Sequence, residues 1–154
     1  MERKVIVIAL ILGSVLGMQA QKLNYPASKG LRQLNNGWHK FSVEGAIFDV
    51  EVSEGNLVKG NVVWFDNSKY SGSFSNNKIS GRGTYIWPNG DKYEGSFRNN
   101  QRHGKGTMYW SDGTKHSGKW KNNSRNGKGK SFDTDGNLVN EGVWEEDTFL
   151  ESKK

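Results

Sequence analysis

Along the middle of the chain, apolar residues and glycines occupy alternate positions in short runs. Tyr70, Gly72 and Phe74 share one parity, and so do Gly81, Gly83, Tyr85 and Trp87. Alternation with period two places each set on one face of a β-strand. The six residues between the two runs carry Asn76-Asn77, a pair that tolerates a left-handed backbone and so predicts a turn. After Trp87 comes Pro-Asn-Gly90-Asp91, a second turn of the Asn-Gly kind. The same hairpin pattern then recurs at a fixed interval of 23 residues, which sets Gly60, Gly83, Gly106 and Gly129 in phase with Trp64, Trp87 and Trp110. A fixed period of this length is the mark of a stacked repeat.

The period predicts an all-β fold: an elongated, twisted antiparallel sheet of stacked β-hairpins with degenerate capping units at both ends. A single hairpin is marginal in water, so stability must come from stacking neighbours into a continuous aromatic strip. Glycines that face aromatic positions let large rings lie flat over the next strand, where no Cβ intrudes. Residues 70–92, 93–115 and 116–139 form three full units. Residues 47–69 read as a degenerate unit, in which Asp49 and Val58 replace two expected glycines. Residues 140–154 restart a unit one residue late at Asn140-Glu-Gly142-Val-Trp144 and end in an acidic cap. Residues 21–46 do not follow the repeat and read as an N-terminal cap, with a short strand at Trp38–Val43.

The string Tyr93-Glu94-Gly95-Ser-Phe97, then His103-Gly104-Lys105-Gly106 and Trp110-Ser-Asp-Gly113, resembles the MORN (membrane occupation and recognition nexus) repeat. That pattern is Tyr-x-Gly-x-Phe, a Gly-x-Gly pair, then an aromatic and a turn glycine. The first two units match at each of these positions. The third has His116 for tyrosine, Trp120 for phenylalanine and Asp133 for tryptophan. The resemblance implies a binding or scaffolding module and leaves its partner open.

The N-terminus reads as a signal peptide over residues 1–20. A short charged start is followed by an apolar run, Val5 to Gly17, shorter than the roughly 20 residues a membrane span requires. A buried helix of a cytosolic protein is the alternative. With no cysteine in the chain there is neither a disulfide framework nor a lipid-modified cysteine. The expected location is therefore secreted or periplasmic, in a bacterium, with no transmembrane helix left after cleavage. A hydrophobic content of 33% and a mean hydropathy of −0.80 suit a solvent-bathed sheet better than a packed globule.

Charge changes the picture of the second face. Residues 69–130 hold 13 Lys or Arg against 3 Asp or Glu, whereas residues 131–154 hold 2 against 7. Parity places Arg82, Arg98, Lys105, Lys119, Lys121, Lys128 and Lys130 opposite the aromatic strip, among serines and threonines, with Ile86, Tyr109 and Phe132 interrupting. Such a face offers a site for an acidic protein surface, phospholipid headgroups or anionic glycans; a solvated face that blunts edge pairing is the plain alternative. Nucleic acid is not expected, because most rings and most cations fall on opposite faces. No catalytic residue, metal site or cofactor is expected. The Gly-x-Gly pairs recur in every unit, open no helix and lack the lysine-serine ending of a phosphate loop. His103 and His116 fall at repeat positions. An exported enzyme, or an accessory subunit of an envelope enzyme, is the competing class, with Glu141, Glu145, Glu146 and Asp147 its only acidic candidates.

Overall fold

The computed structural model describes residues 34–43 and 45–150. The signal-peptide segment and most of the N-terminal cap lie outside the described residues. Eleven strands follow one another: β1 Gly37–Val43, β2 Ala46–Ser53, β3 Asn56–Val63, β4 Lys69–Ser75, β5 Lys78–Ile86, β6 Lys92–Arg98, β7 Gln101–Tyr109, β8 Lys115–Lys121, β9 Ser124–Phe132, β10 Leu138–Glu145 and β11 Thr148–Leu150. They form one open antiparallel sheet in sequence order, with no helix among the described residues. At about 4.8 Å per strand the sheet is roughly 50 Å across.

Five two-residue turns close the hairpins: Glu54-Gly55, Asn76-Asn77, Asn99-Asn100, Asn122-Asn123 and Glu146-Asp147. All ten residues have positive φ, the primed turn whose twist matches that of the flanking strands. The second residue of each asparagine turn has a further task. The Oδ1 atoms of Asn77, Asn100 and Asn123 accept from the backbone N–H of Leu57, Ile79 and Arg102 in the preceding hairpin, at 2.8–2.9 Å. Asn100 and Asn123 return a backbone N–H to the carbonyls of Ile79 and Arg102. Each asparagine therefore sews one hairpin to the previous one, a role beyond the turn that its sequence predicts.

The glycines form a line. Gly60, Gly72, Gly83, Gly95, Gly106, Gly118, Gly129 and Gly142 pair across successive strands from β3 to β10. A Cβ at Gly83 would lie 2.5 Å from the ring of Tyr70, and one at Gly129 would lie 2.7 Å from Nε2 of His116. At Gly106 it would collide with the hydroxyl end of the Tyr93 ring. Tyr70 and Tyr93 use that space to lie across the glycine row, and each hydroxyl donates to a backbone carbonyl, of Ser73 and Ser96.

The core is thus one face of a single sheet. Phe74, Tyr70, Phe97, Tyr93, Trp120, His116, Trp144 and Phe149 make an unbroken series of ring contacts, with centroids 4.6–5.6 Å apart and mostly edge-to-face. Each such contact adds about 0.5–1.5 kcal/mol beyond its buried area. Tyr70 and Tyr93 reach 1% and 0% exposure although, among the described residues, no second layer covers them. Toward the N-terminus the strip becomes largely aliphatic, with Val50, Val52, Leu57 and Val62 buried alongside Phe48.

Register corrects one detail of the sequence alignment. Val50, not Asp49, stands opposite Gly60 in the glycine row. The bulge of β3 holds fewer residues than the equivalent bulge of β5, where Gly81 has φ +89°. Val58 replaces that glycine, and a β-branched residue resists positive φ. At the other end, a bulge between Leu138 and Asn140 absorbs the one-residue delay before Gly142.

Replacing Gly106 by alanine should destabilise the protein by about 3 kcal/mol or more, since the new methyl displaces the Tyr93 ring. Gly136→Ala, at φ +84° with nothing within 4 Å, should cost only about 1–2 kcal/mol, the left-handed backbone strain. Urea melts of both variants check the contrast. In the same assay Asn123→Gly, which keeps the turn but removes the acceptor for Arg102 N–H, should lose about 1–2 kcal/mol.

Candidate functional site

The two faces of the sheet differ in what they leave accessible. On the aromatic face the second position after each asparagine turn holds Ile79, then Arg102, then Arg125. Arg102 lies among rings, its Cζ 4.6 Å from the centroid of Trp120 and 5.6 Å from that of Trp87, and its Nη2 donates to the Asn123 carbonyl at 2.6 Å. Its Nε is buried without a hydrogen-bond partner. Burial lowers the guanidinium pKa, while the neighbouring Tyr93 acts to raise it. Arg125 instead is clasped by Asp147, which accepts from its backbone N–H and Nε on Oδ1 and from Nη2 on the backbone carbonyl, at 2.8–3.0 Å. Burial would raise the Asp147 pKa, but these bonds, one from Ser124 and the adjacent charge together hold it below the usual range. Asp147 therefore takes the place of the sewing asparagine in the last hairpin.

The remaining acidic candidates are scattered. Glu141 pairs with Lys130 at 3.0 Å on the polar face, and Glu146 shapes the final turn at φ 45°. Among the described residues no group of three or more His, Asp or Glu side chains is placed to hold a metal. His116 fills the tyrosine position of the third unit. It is 1% exposed, stacks edge-on to Trp120 and Trp144, and lies 3.1 Å from Ser131 Oγ through Nδ1.

The polar face carries the cations in rows that cross the strands. Arg82 pairs with Ser96, and Lys105 stands directly opposite Lys119. Arg82, Lys105, Lys119 and Lys128 line one open groove of about 680 Å³, together with Ser71, Thr84, Glu94, Thr107 and Ser117. Lys130 lines a neighbouring groove of about 870 Å³ with Tyr109, Lys115, Phe132 and Val143. The two grooves share Thr107, Ser117 and Lys128, and so join into one trough running from β4 to β10. Arg98 and Lys121 lie outside it, beside the asparagine turns opposite Gln101 and Ser124.

Three cations of this face, Lys69, Lys92 and Lys115, do not appear among those parity assigned above. They alternate with the apolar residues in one continuous cross-strand row: Val63, Lys69, Ile86, Lys92, Tyr109, Lys115, Phe132 and Leu138. Lys92 Nζ lies 4.5 Å from the centroid of Tyr109, and Lys115 Nζ lies 4.3 Å from that of Phe132. A hydrogen bond from its Nζ to Glu94, at 2.7 Å, raises the Lys92 pKa. The rings that interrupt the basic face in sequence thus alternate with lysines in space. Strand parity alone could have found these lysines, since Lys92 stands two residues before Glu94.

Residues 70–92, 93–115 and 116–138 each match the MORN repeat family model, so the chain carries three MORN repeats. No curated protein matches the chain.

Burial pulls the His116 pKa from 6.5 down to about 4, with the Arg125 charge adding to the effect and Asp147 opposing it. Above pH 6.5 the imidazole is neutral whether folded or unfolded. As pH falls from 6.5 to about 4 the unfolded chain takes up a proton that the folded one excludes, so stability declines across that window and levels off below it. The full effect is about 3 kcal/mol. In His116→Tyr, which restores the residue of the other two units, this loss should vanish, as paired urea melts at pH 7 and pH 4.5 would reveal. An unchanged pH dependence in the variant would mean that the imidazole titrates freely in the native state.

Proposed function

We propose that this chain is an exported, non-catalytic repeat module that uses the polar face of its sheet as a contact surface for an anionic partner. The observation that carries this reading is the placement of Lys105 directly opposite Lys119, with Lys128 and Arg82 lining the same groove. Like charges facing each other across strands are destabilising, and an anion bound between them relieves that repulsion. The aromatic face is already occupied by its own interlocked rings, which leaves the polar trough as the extended accessible surface. Export rests on the N-terminal charged start and apolar run. Three MORN repeats are consistent with a binding or scaffolding role.

The trough offers no arrangement of nucleophile, base and oxyanion donors. Its polar side chains are Arg82, lysines, hydroxyls and two carboxylates already paired with lysines. Summed weak contacts to a distributed negative charge are what such a surface supplies. An accessory role on an envelope enzyme uses the same face and differs only in the partner.

Lys105→Gln/Lys119→Gln/Lys128→Gln leaves the aromatic face untouched and should fold normally. Its retention by anionic vesicles or by envelope extracts should drop by roughly tenfold or more. For the unmodified protein, binding should weaken steeply as the Debye length shrinks from about 10 Å at 0.1 M salt to about 3 Å at 1 M. Full affinity in the folded triple variant would reduce the basic face to a solubilising surface.

A further inference from the structure

The trough combines three chemistries in parallel rows, and all three recur with the hairpin. One row holds the cations Arg82, Lys105, Lys119 and Lys128. The next holds Ser71, Thr84, Glu94, Thr107 and Ser117, paired strand to strand. The third alternates lysine with an apolar residue and lines the trough at Tyr109, Lys115 and Phe132, where each ring carries a lysine within 4.5 Å of its centroid. Two strands make one period, so equivalent groups are spaced about 9–10 Å apart along the trough. That is the scale of one disaccharide in an extended glycan.

We propose that the trough binds a linear polysaccharide bearing intermittent negative charge, laid across the strands with about one disaccharide per hairpin. This rests on the reading of the polar face as the contact surface and names the partner's class. A uronic acid presents an apolar C–H face and a carboxylate on one ring, which is what a half-buried aromatic with a lysine beside it can receive. The hydroxyl row provides donors and acceptors for sugar hydroxyls, and Glu94 adds an acceptor in the same row.

Glu94 and Glu141 also decide against denser anions. A nucleic acid carries a phosphate at every nucleotide, and an anionic membrane presents a continuous sheet of charge. Either would bring negative groups onto both carboxylates. A chain charged once per disaccharide can place a neutral sugar there. Tyr109 and Phe132 are half-buried on the trough side, too low to insert into a bilayer interface.

The test is calorimetric titration of the full-length protein with hyaluronan oligosaccharides of increasing length. Chitohexaose serves as the neutral control, phosphatidylglycerol vesicles as the lipid probe and oligo(dT) as the nucleic acid. Affinity for hyaluronan should rise by roughly tenfold or more from one disaccharide to three, matching the three full hairpins, and then level off. Chitohexaose should bind at least roughly tenfold more weakly than the hyaluronan hexasaccharide. Tyr109→Ser/Phe132→Ser should lose roughly tenfold for hyaluronan while vesicle binding stays the same. The length series needs no variant, so it decides the matter even if that substitution unfolds the protein.

Affinity independent of length, equal binding of the neutral oligosaccharide, or preference for vesicles or oligo(dT) would overturn the assignment. Lys105→Gln/Lys119→Gln/Lys128→Gln separates the two levels. Loss of vesicle binding in that variant, with no polysaccharide bound by the unmodified protein, removes the glycan alone. Retention of every probe removes the contact surface as well.

Discussion

Everything in this sheet depends on a row of positions where no side chain is present. Eight glycines aligned across neighbouring strands leave a strip of bare backbone, and the rings of Tyr70, Tyr93 and His116 lie in it. An open single-layer sheet has no second layer to bury its apolar residues, so they must cover one another. Large rings achieve this only by lying flat, and only a glycine opposite lets them approach the backbone. Burial of Tyr93 to zero exposure in a single-layer sheet follows from that geometry.

The same constraint divides the labour between the two faces. Because the rings interlock from hairpin to hairpin, each unit is stable only against its neighbours, as in other solenoid-like arrays. The asparagine turns add directional bonds at one margin, and the Asp147–Arg125 clasp repeats them with charge at the last hairpin. Stability therefore resides on the aromatic face and along the turn margin. The polar face adds ion pairs, and lysine–ring contacts join its neighbouring strands. Lysines facing lysines are poor choices for stability alone.

Most of the fold was legible in the sequence because it is written in period and parity. Tyr70, Gly72 and Phe74 on one side, with Gly81, Gly83 and Tyr85 opposite, predict the hairpin and its buried face. Three kinds of feature escaped. Parity assigns a side chain to a face but does not tell which residues of neighbouring strands become neighbours, so the alternation of Lys92 with Tyr109 and of Lys115 with Phe132 emerged only with cross-strand register. A one-residue difference in bulge length moved Val50 into the place expected for Asp49. The reach of Asn123 to Arg102 spans 21 residues, and no local turn rule encodes it.

The candidate site divides along the same line. Arg82, Lys105 and Lys128 recur at one repeat position on β5, β7 and β9, and Lys119 faces Lys105 from β8, so shared parity brings the four into one row. Arg98 and Lys121 have the same parity but sit at the turn ends of their strands, and so miss the trough. Repetition accounts for the shape of what remains: a face built from near-identical units presents the same few groups at regular steps. A compact ligand could use only one step, whereas an extended partner of matching period gains from each. Length and spacing of the partner, more than any single contact, are thus the properties such a trough can select.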